Sequence, residues 1–344
     1  MPTGSYERYG LTGNPFRELA SENLDDVTIY HVNQATDAAL RTIREEVLDR
    51  ENRAVVAITG GQGAGKTERL LVAAAEAKER KAFVVYFDIS SKIPWVLKGL
   101  AEAFQASARD AGLVKMLGAP SWLRPVASLA RSKDGSYDPK VAGRRLAEAL
   151  NGAAPAFLLL NDIHNLVEMR EVDSFVKTIE EVTSVIKPGV LVMFTCYASY
   201  LAWLNVNHPS LASRINRSVL LQGLSDDEAR LVLAKKLLAK RIVEDLEPTY
   251  PFDREAVHEL NLQARGNPRR LLELADTVLE RGIESRAYQI DAELVHATFL
   301  RRDSVVVGAS PPAPATPEAA DAASEAALTP PDAGRRPFWA RPKK

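Results

Sequence analysis

The sequence predicts an α/β fold: a parallel, βα-wound sheet, then a small all-helical domain, then an extended tail. Three observations predict it. Four apolar runs, Ala54–Thr59, Phe83–Ile89, Phe157–Leu160 and Val190–Thr195, alternate with longer helix-like stretches. Strands that are apolar throughout, rather than every second residue, belong to a sheet covered on both faces. After Ser225 the strand pattern stops and apolar residues recur at helical spacing. Residues 308–334 contain ten Ala, six Pro and no aromatic residue, too little apolar surface to offset the entropy of ordering.

A fifth, shorter strand is expected at Val219–Leu221. Helices are expected at Glu68–Lys81, Ile93–Leu113 and Val141–Leu150. Ser225-Asp226-Asp227-Glu228 reads as a capping box, and Ala229, Val232, Leu233 and Leu237 continue one apolar helix face. Further helices are expected over about 253–264, 268–282 and 291–301. The domain boundaries follow: 1–223 for the α/β domain, 224–303 for the helical domain and 304–344 for the tail. The tail ends in GRRPFWARPKK, a basic tip carrying Phe338 and Trp339. A tethered basic aromatic peptide of this kind suits docking to a protein partner through 335–344.

Composition narrows the class. The chain has 344 residues, 46% hydrophobic and 26% charged, which is ordinary globular composition. One cysteine, Cys196, makes no internal disulfide, so a reducing, cytoplasmic setting is expected, with the thiol a buried inert one. No signal peptide and no apolar run near the ~20 residues of a membrane helix are evident. The five histidines show no metal-ligand spacing. Net charge is −1, so the body offers no broad attraction for nucleic acid. The basic run Lys235, Lys236, Lys240 and Arg241 reads as a solvated face.

The chemistry starts at Gly60-Gly61-Gln62-Gly63-Ala64-Gly65-Lys66-Thr67, which fits G-x-x-x-x-G-K-[ST] between a strand and a helix. The glycines let backbone N–H groups turn inward around a phosphate, and the helix N-terminus adds its positive end. Lys66 is expected on the β- and γ-phosphates and Thr67 on Mg²⁺. This predicts a P-loop NTPase, with a nucleotide, ATP ahead of GTP, and Mg²⁺ as its expected ligands. Such a site needs acids at the end of another strand, and Asn161-Asp162 is the candidate. Two registers are open. Either Asn161 takes the metal-side position and Asp162 the water-activating one, or Asp162 is the metal-side acid with no carboxylate after it. Both weaken hydrolysis relative to a full Asp-Glu pair.

Together these stretches resemble AAA+ ATPases, in the branch that holds ExeA-type general-secretion ATPases, transposition regulators and origin-recognition initiators. The resemblance covers about residues 9–300. It rests on Tyr9-Gly10-Leu11 with Asn14-Pro15-Phe16, the phosphate loop, Asn161-Asp162-Ile163-His164-Asn165-Leu166, Pro209–Ile215, and Gly266-Asn267-Pro268-Arg269-Arg270-Leu271-Leu272. It favours the first register and implies that the opening segment lies near the adenine. It also implies Arg214 as a finger acting in trans, with Arg217 as competitor, Arg269 on the nucleotide in cis, and Thr195 sensing the γ-phosphate. Oligomers formed through the nucleotide sites are implied. After the helical domain the sequence leads us to expect no winged helix, and no membrane span or periplasmic domain. The expected function is an ATP-dependent oligomeric switch or scaffold with slow hydrolysis, acting on a protein or DNA partner. The alternatives are a DNA-transaction regulator and a nucleotide-binding module without turnover.

Overall fold

The computed structural model describes residues 6–17, 34–89, 95–112, 120–131, 137–243 and 245–304. The tail at 308–334 and the basic tip at 335–344 lie outside the described residues. The described sheet has five parallel strands: β1 (Ala54–Thr59), β2 (Phe83–Asp88), β3 (Ala156–Asn161), β4 (Val190–Cys196) and β5 (Arg217–Leu220). Their order across the sheet is β2-β3-β4-β1-β5. Every residue of β1, β3 and β4 is buried, as their unbroken apolar runs require.

Alternate residues serve two cores. Val55, Ala57, Leu158, Leu160, Val192 and Phe194 face the first. It is completed by helices α3 (Val96–Asp110), α4 (Arg124–Ala130), α5 (Pro139–Gly152) and α6 (Val172–Val185). Val56, Ile58, Phe157, Leu159 and Met193 face the second, under α1 (Gln34–Leu48) and α2 (Lys66–Glu79). Helix α2 meets the sheet through Leu70, Ala73, Ala74 and Ala77, mostly small residues that bring its first turn close to the strand ends.

The structure moves β5 two residues earlier than the apolar pattern suggests. Arg217 and Ser218 join the ladder by backbone pairing with Val56 and Ala57, while their side chains stay exposed. An edge strand with a polar outer side carries no hydrophobic signature. Short helices α7 (Ala198–Asn207) and α8 (Pro209–Ala212) lead from β4 into it.

Four helices follow: α9 (Asp226–Leu238), α10 (Arg254–Ala264), α11 (Pro268–Glu284) and α12 (Ala292–Ser304). The Ser225–Glu228 capping box forms as the sequence predicts. Asp253 and Asn267 cap α10 and α11 through their side chains. Residues 6–17 pack on these helices. Tyr9 is fully buried, its hydroxyl donates to the Ala287 carbonyl at 2.9 Å, and its ring meets Tyr250 edge-on. Phe16 packs the same way on Phe252. Ile242 N–H donates to Gly10 O and Thr12 N–H to Lys240 O, both at 2.8 Å. Asn14 donates to Asp276 and Glu280 at 2.6 and 2.8 Å, and the Tyr6 hydroxyl also reaches Glu280. Tyr9, Leu11 and Phe16 thereby serve as core residues of the helical layer. Among the described residues, no helix is long and apolar enough to cross a membrane.

Candidate functional site: the phosphate loop and its acids

The loop between β1 and α2 is built on left-handed glycines. Gly63 has φ +76° and Gly65 φ +84°, a region that costs a side-chain-bearing residue about 1–2 kcal/mol. The turn brings Lys66 back over the loop. Its ammonium donates to the Gly60 and Gly61 carbonyls at 3.0 and 2.8 Å and lies 4.7 Å from the centre of the Tyr197 ring. Burial pulls the Lys66 pKa below its ordinary value, and the nearby Asp162 opposes the shift. A buried cation held by loop carbonyls and an aromatic face is one that an anion would stabilise.

Thr67, on the first turn of α2, aims its hydroxyl at β3. It donates to Asn161 Oδ1 at 3.1 Å, so Asn161, not Asp162, is the residue at the threonine. Thr195 on β4 is fully buried and donates to the same Oδ1 at 2.8 Å. Its oxygen also accepts the Asp162 N–H at 2.7 Å. That bond fixes Asp162 in a left-handed turn, φ 52° and ψ 46°, ahead of a short 3-10 helix (Ile163–Glu168). The structure therefore brings Lys66, Thr67, Asn161, Asp162 and Thr195 together at the carboxyl ends of three neighbouring strands. The His164 ring lies tilted against Tyr197 with ring centroids 4.0 Å apart, and burial holds its pKa below the usual value, favouring the neutral ring.

Sequence reading missed Asp88. It closes β2 directly opposite Asn161 in the strand register and accepts from Asn161 Nδ2 at 2.7 Å. The available signal was an acid ending an apolar strand, in the phase of Tyr86 and Val84. Among the described residues, no group of three or more His, Cys, Asp and Glu side chains is disposed to hold a metal alone. Hydroxyl and carboxylate oxygens beside a phosphate cradle do fit Mg²⁺, which binds through few protein oxygens plus substrate phosphates.

The helical layer reaches this loop directly. Asn267 Nδ2 donates to the Gln62 carbonyl at 2.7 Å, and the Arg269 N–H approaches Gly63 O at 3.4 Å. An open cleft of 690 Å³ beside Gln62 is lined by Arg265, Arg269 and Arg270.

No family model matches the chain, and no curated protein sequence matches it. Solved structures do. The Aeropyrum pernix ORC1 protein, in complex with DNA, superposes with a TM-score of 0.53 at 17% identity, covering 83% of this chain and 68% of that one. The Aeropyrum pernix ORC2 protein, in ADPNP–ADP complexes, gives 0.54 at 14% identity over 86% and 72%. Cdc6p from Pyrobaculum aerophilum gives 0.52 at 15% identity over 85% and 71%. The chain has the AAA+ ATPase fold. This bears out the fold expected from the sequence resemblance.

On this AAA+ fold the three candidate arginines stand differently. Arg269 is exposed at the start of α11, with its backbone on the phosphate loop. Arg214 is half-buried, and its guanidinium donates to the Glu180 carbonyl of its own α6. Arg217 is exposed on β5, bonded to the neighbouring Asn216 carbonyl. Cys196 ends β4 beneath the site. It is fully buried, and burial pushes its pKa up to about 12, which leaves the thiol protonated and unreactive.

Proposed function

We propose that this AAA+ chain binds ATP with Mg²⁺ in the phosphate loop and works as an ATP-dependent oligomeric switch or scaffold on a partner, with slow hydrolysis. The observation that carries this is the convergence of Lys66, Thr67, Asn161, Asp162 and Thr195 around the loop. Lys66 exchanges its carbonyl partners for phosphate oxygens. Thr67, Asn161 and Asp162 would hold Mg²⁺, which would neutralise charge on the β- and γ-phosphates. Asp162 takes a proton from the attacking water. It is one methylene shorter than glutamate and is fixed by its turn, which favours slow turnover.

Arg269 serves the nucleotide in cis, from a helix already attached to the loop. Arg214 serves a neighbouring subunit's nucleotide after leaving the Glu180 carbonyl, so assembly and nucleotide occupancy are coupled. ATP then shifts assembly only by its differential affinity for the assembled state. A protein partner docked through 335–344 remains part of this reading.

Single-turnover hydrolysis tests it. Wild type is expected to turn over measurably and Asp162→Asn about 100-fold more slowly. Equal, near-zero rates would reduce the chain to a nucleotide-binding module. A DNA-transaction role is the second reading, favoured by the match to an ORC1 protein captured with DNA. Its test is DNA binding with and without ATP across a salt series. A steep ATP-dependent slope supports it, and no binding at about 50 mM salt removes it.

A further inference from the structure

The Asn161 carboxamide is oriented without ambiguity. Its Nδ2 faces two carboxylates, Asp88 Oδ1 at 2.7 Å and Asp162 Oδ2 at 3.4 Å. Carboxylates only accept, so the NH₂ group must point at them. The Oδ1 atom is left for the hydroxyls of Thr67 and Thr195, at 3.1 and 2.8 Å. The side chain thus bridges α2 and β4 on one side and two acids on the other.

An aspartate at position 161 would bring a third carboxylate to these two, with an oxygen 2.7 Å from Asp88 where a hydrogen bond now runs. Like charges at that distance cannot all stay ionised. The asparagine is what permits a second acid to stand here. The number of acids at the strand ends is therefore the usual two, with one of them moved a strand sideways, from β3 to β2. Strand register alone produces this: Asp88 lies opposite Asn161, and both share the α2-facing phase. Tyr86, two residues earlier on that face, feels both acids, and its phenol is pushed further up by each after burial.

We propose that Asp88 is the metal-side acid of the nucleotide site, supplying from β2 the carboxylate for Mg²⁺ and its water shell, with Asn161 as the positioning residue that holds it. This rests on the nucleotide-binding reading above. It also changes what Asn161 means: the substitution relocates the charge and does not remove it.

The test measures affinity of the full chain for a fluorescent ATP analogue, with saturating Mg²⁺ and with EDTA, and takes the ratio. In wild type Mg²⁺ tightens binding. In Asp88→Asn the ratio is expected to fall about tenfold. Asn161→Asp alone should also lower it, by crowding the acids. The double variant Asp88→Asn, Asn161→Asp reverses the hydrogen bond, returns one acid to β3, and should restore the ratio to within about threefold of wild type. A ratio unchanged in Asp88→Asn, or a double variant no better than the singles, overturns the role of Asp88 while leaving nucleotide binding standing. Wild type that binds no analogue under either condition overturns both.

Discussion

Lys66→Ala is expected to lower ATP affinity by at least about 100-fold, measured by equilibrium titration with a fluorescent analogue. The loop folds around the Lys66 ammonium, which is bonded to the Gly60 and Gly61 carbonyls at 3.0 and 2.8 Å. Each hydrogen bond from a charged donor contributes about 1.5–3 kcal/mol. Losing two to phosphate oxygens therefore costs about 3 kcal/mol or more, which is the hundredfold. The alanine also opens space beside Tyr197, whose ring the ammonium approaches at 4.7 Å. Lys66→Met separates the effects, because it keeps an apolar stem against the ring and removes only the charge. It should lose as much affinity with a smaller fall in Tm. Unchanged affinity in both variants would refute the phosphate-loop assignment.

The second large effect is expected at Gly63→Ala. A Cβ there would stand 2.8 Å from both Arg269 Cβ and Asn267 Oδ1, at a φ of +76°. Neither atom is a free side-chain end, since Asn267 Oδ1 accepts the Arg270 N–H and caps α11. The variant thus combines left-handed strain of about 1–2 kcal/mol with displacement of the helix start from the loop. It is expected to lower ATP affinity tenfold or more and to reduce Tm by several degrees. Gly61→Ala is the control, because nothing lies within 4 Å of the Cβ it would add. It should keep Tm near wild type. Equal Tm changes in the two variants would show that the Asn267–Arg269 turn does not bear on the loop.

The comparison of these two glycines shows what the sequence could and could not convey. The buried strands were legible because β1, β3 and β4 are apolar on both faces, which leaves few other readings. The capping box was legible because it is local chemistry. The start of β5 was not, since Arg217 and Ser218 join the sheet through backbone alone. The contact of Gly63 with Arg269 and Asn267 joins segments some 200 residues apart, and no spacing rule reaches that far. Asp88 was missed for a related reason. Its role depends on which strand neighbours β3, and strand order is a tertiary fact that β2's own residues do not carry. Asn161 read in isolation meant a missing charge, whereas beside Asp88 it is a donor.

The packing of residues 6–17 on the helical layer has a consequence for the order of synthesis. Tyr9 bonds to a carbonyl 278 residues later, and Asn14 to a carboxylate 262 residues later. At roughly 5–20 residues per second, the early segment waits on the order of tens of seconds on the ribosome for its partners. Throughout that interval Tyr9, Leu11 and Phe16, all fully covered in the finished chain, lack the helices that cover them there. The helical layer that presses on the phosphate loop therefore reaches its final form last, after the sheet beneath it can already fold. A newly made chain passes through a stage in which the loop exists and its cover does not, and that stage is where chaperones have apolar surface to grip.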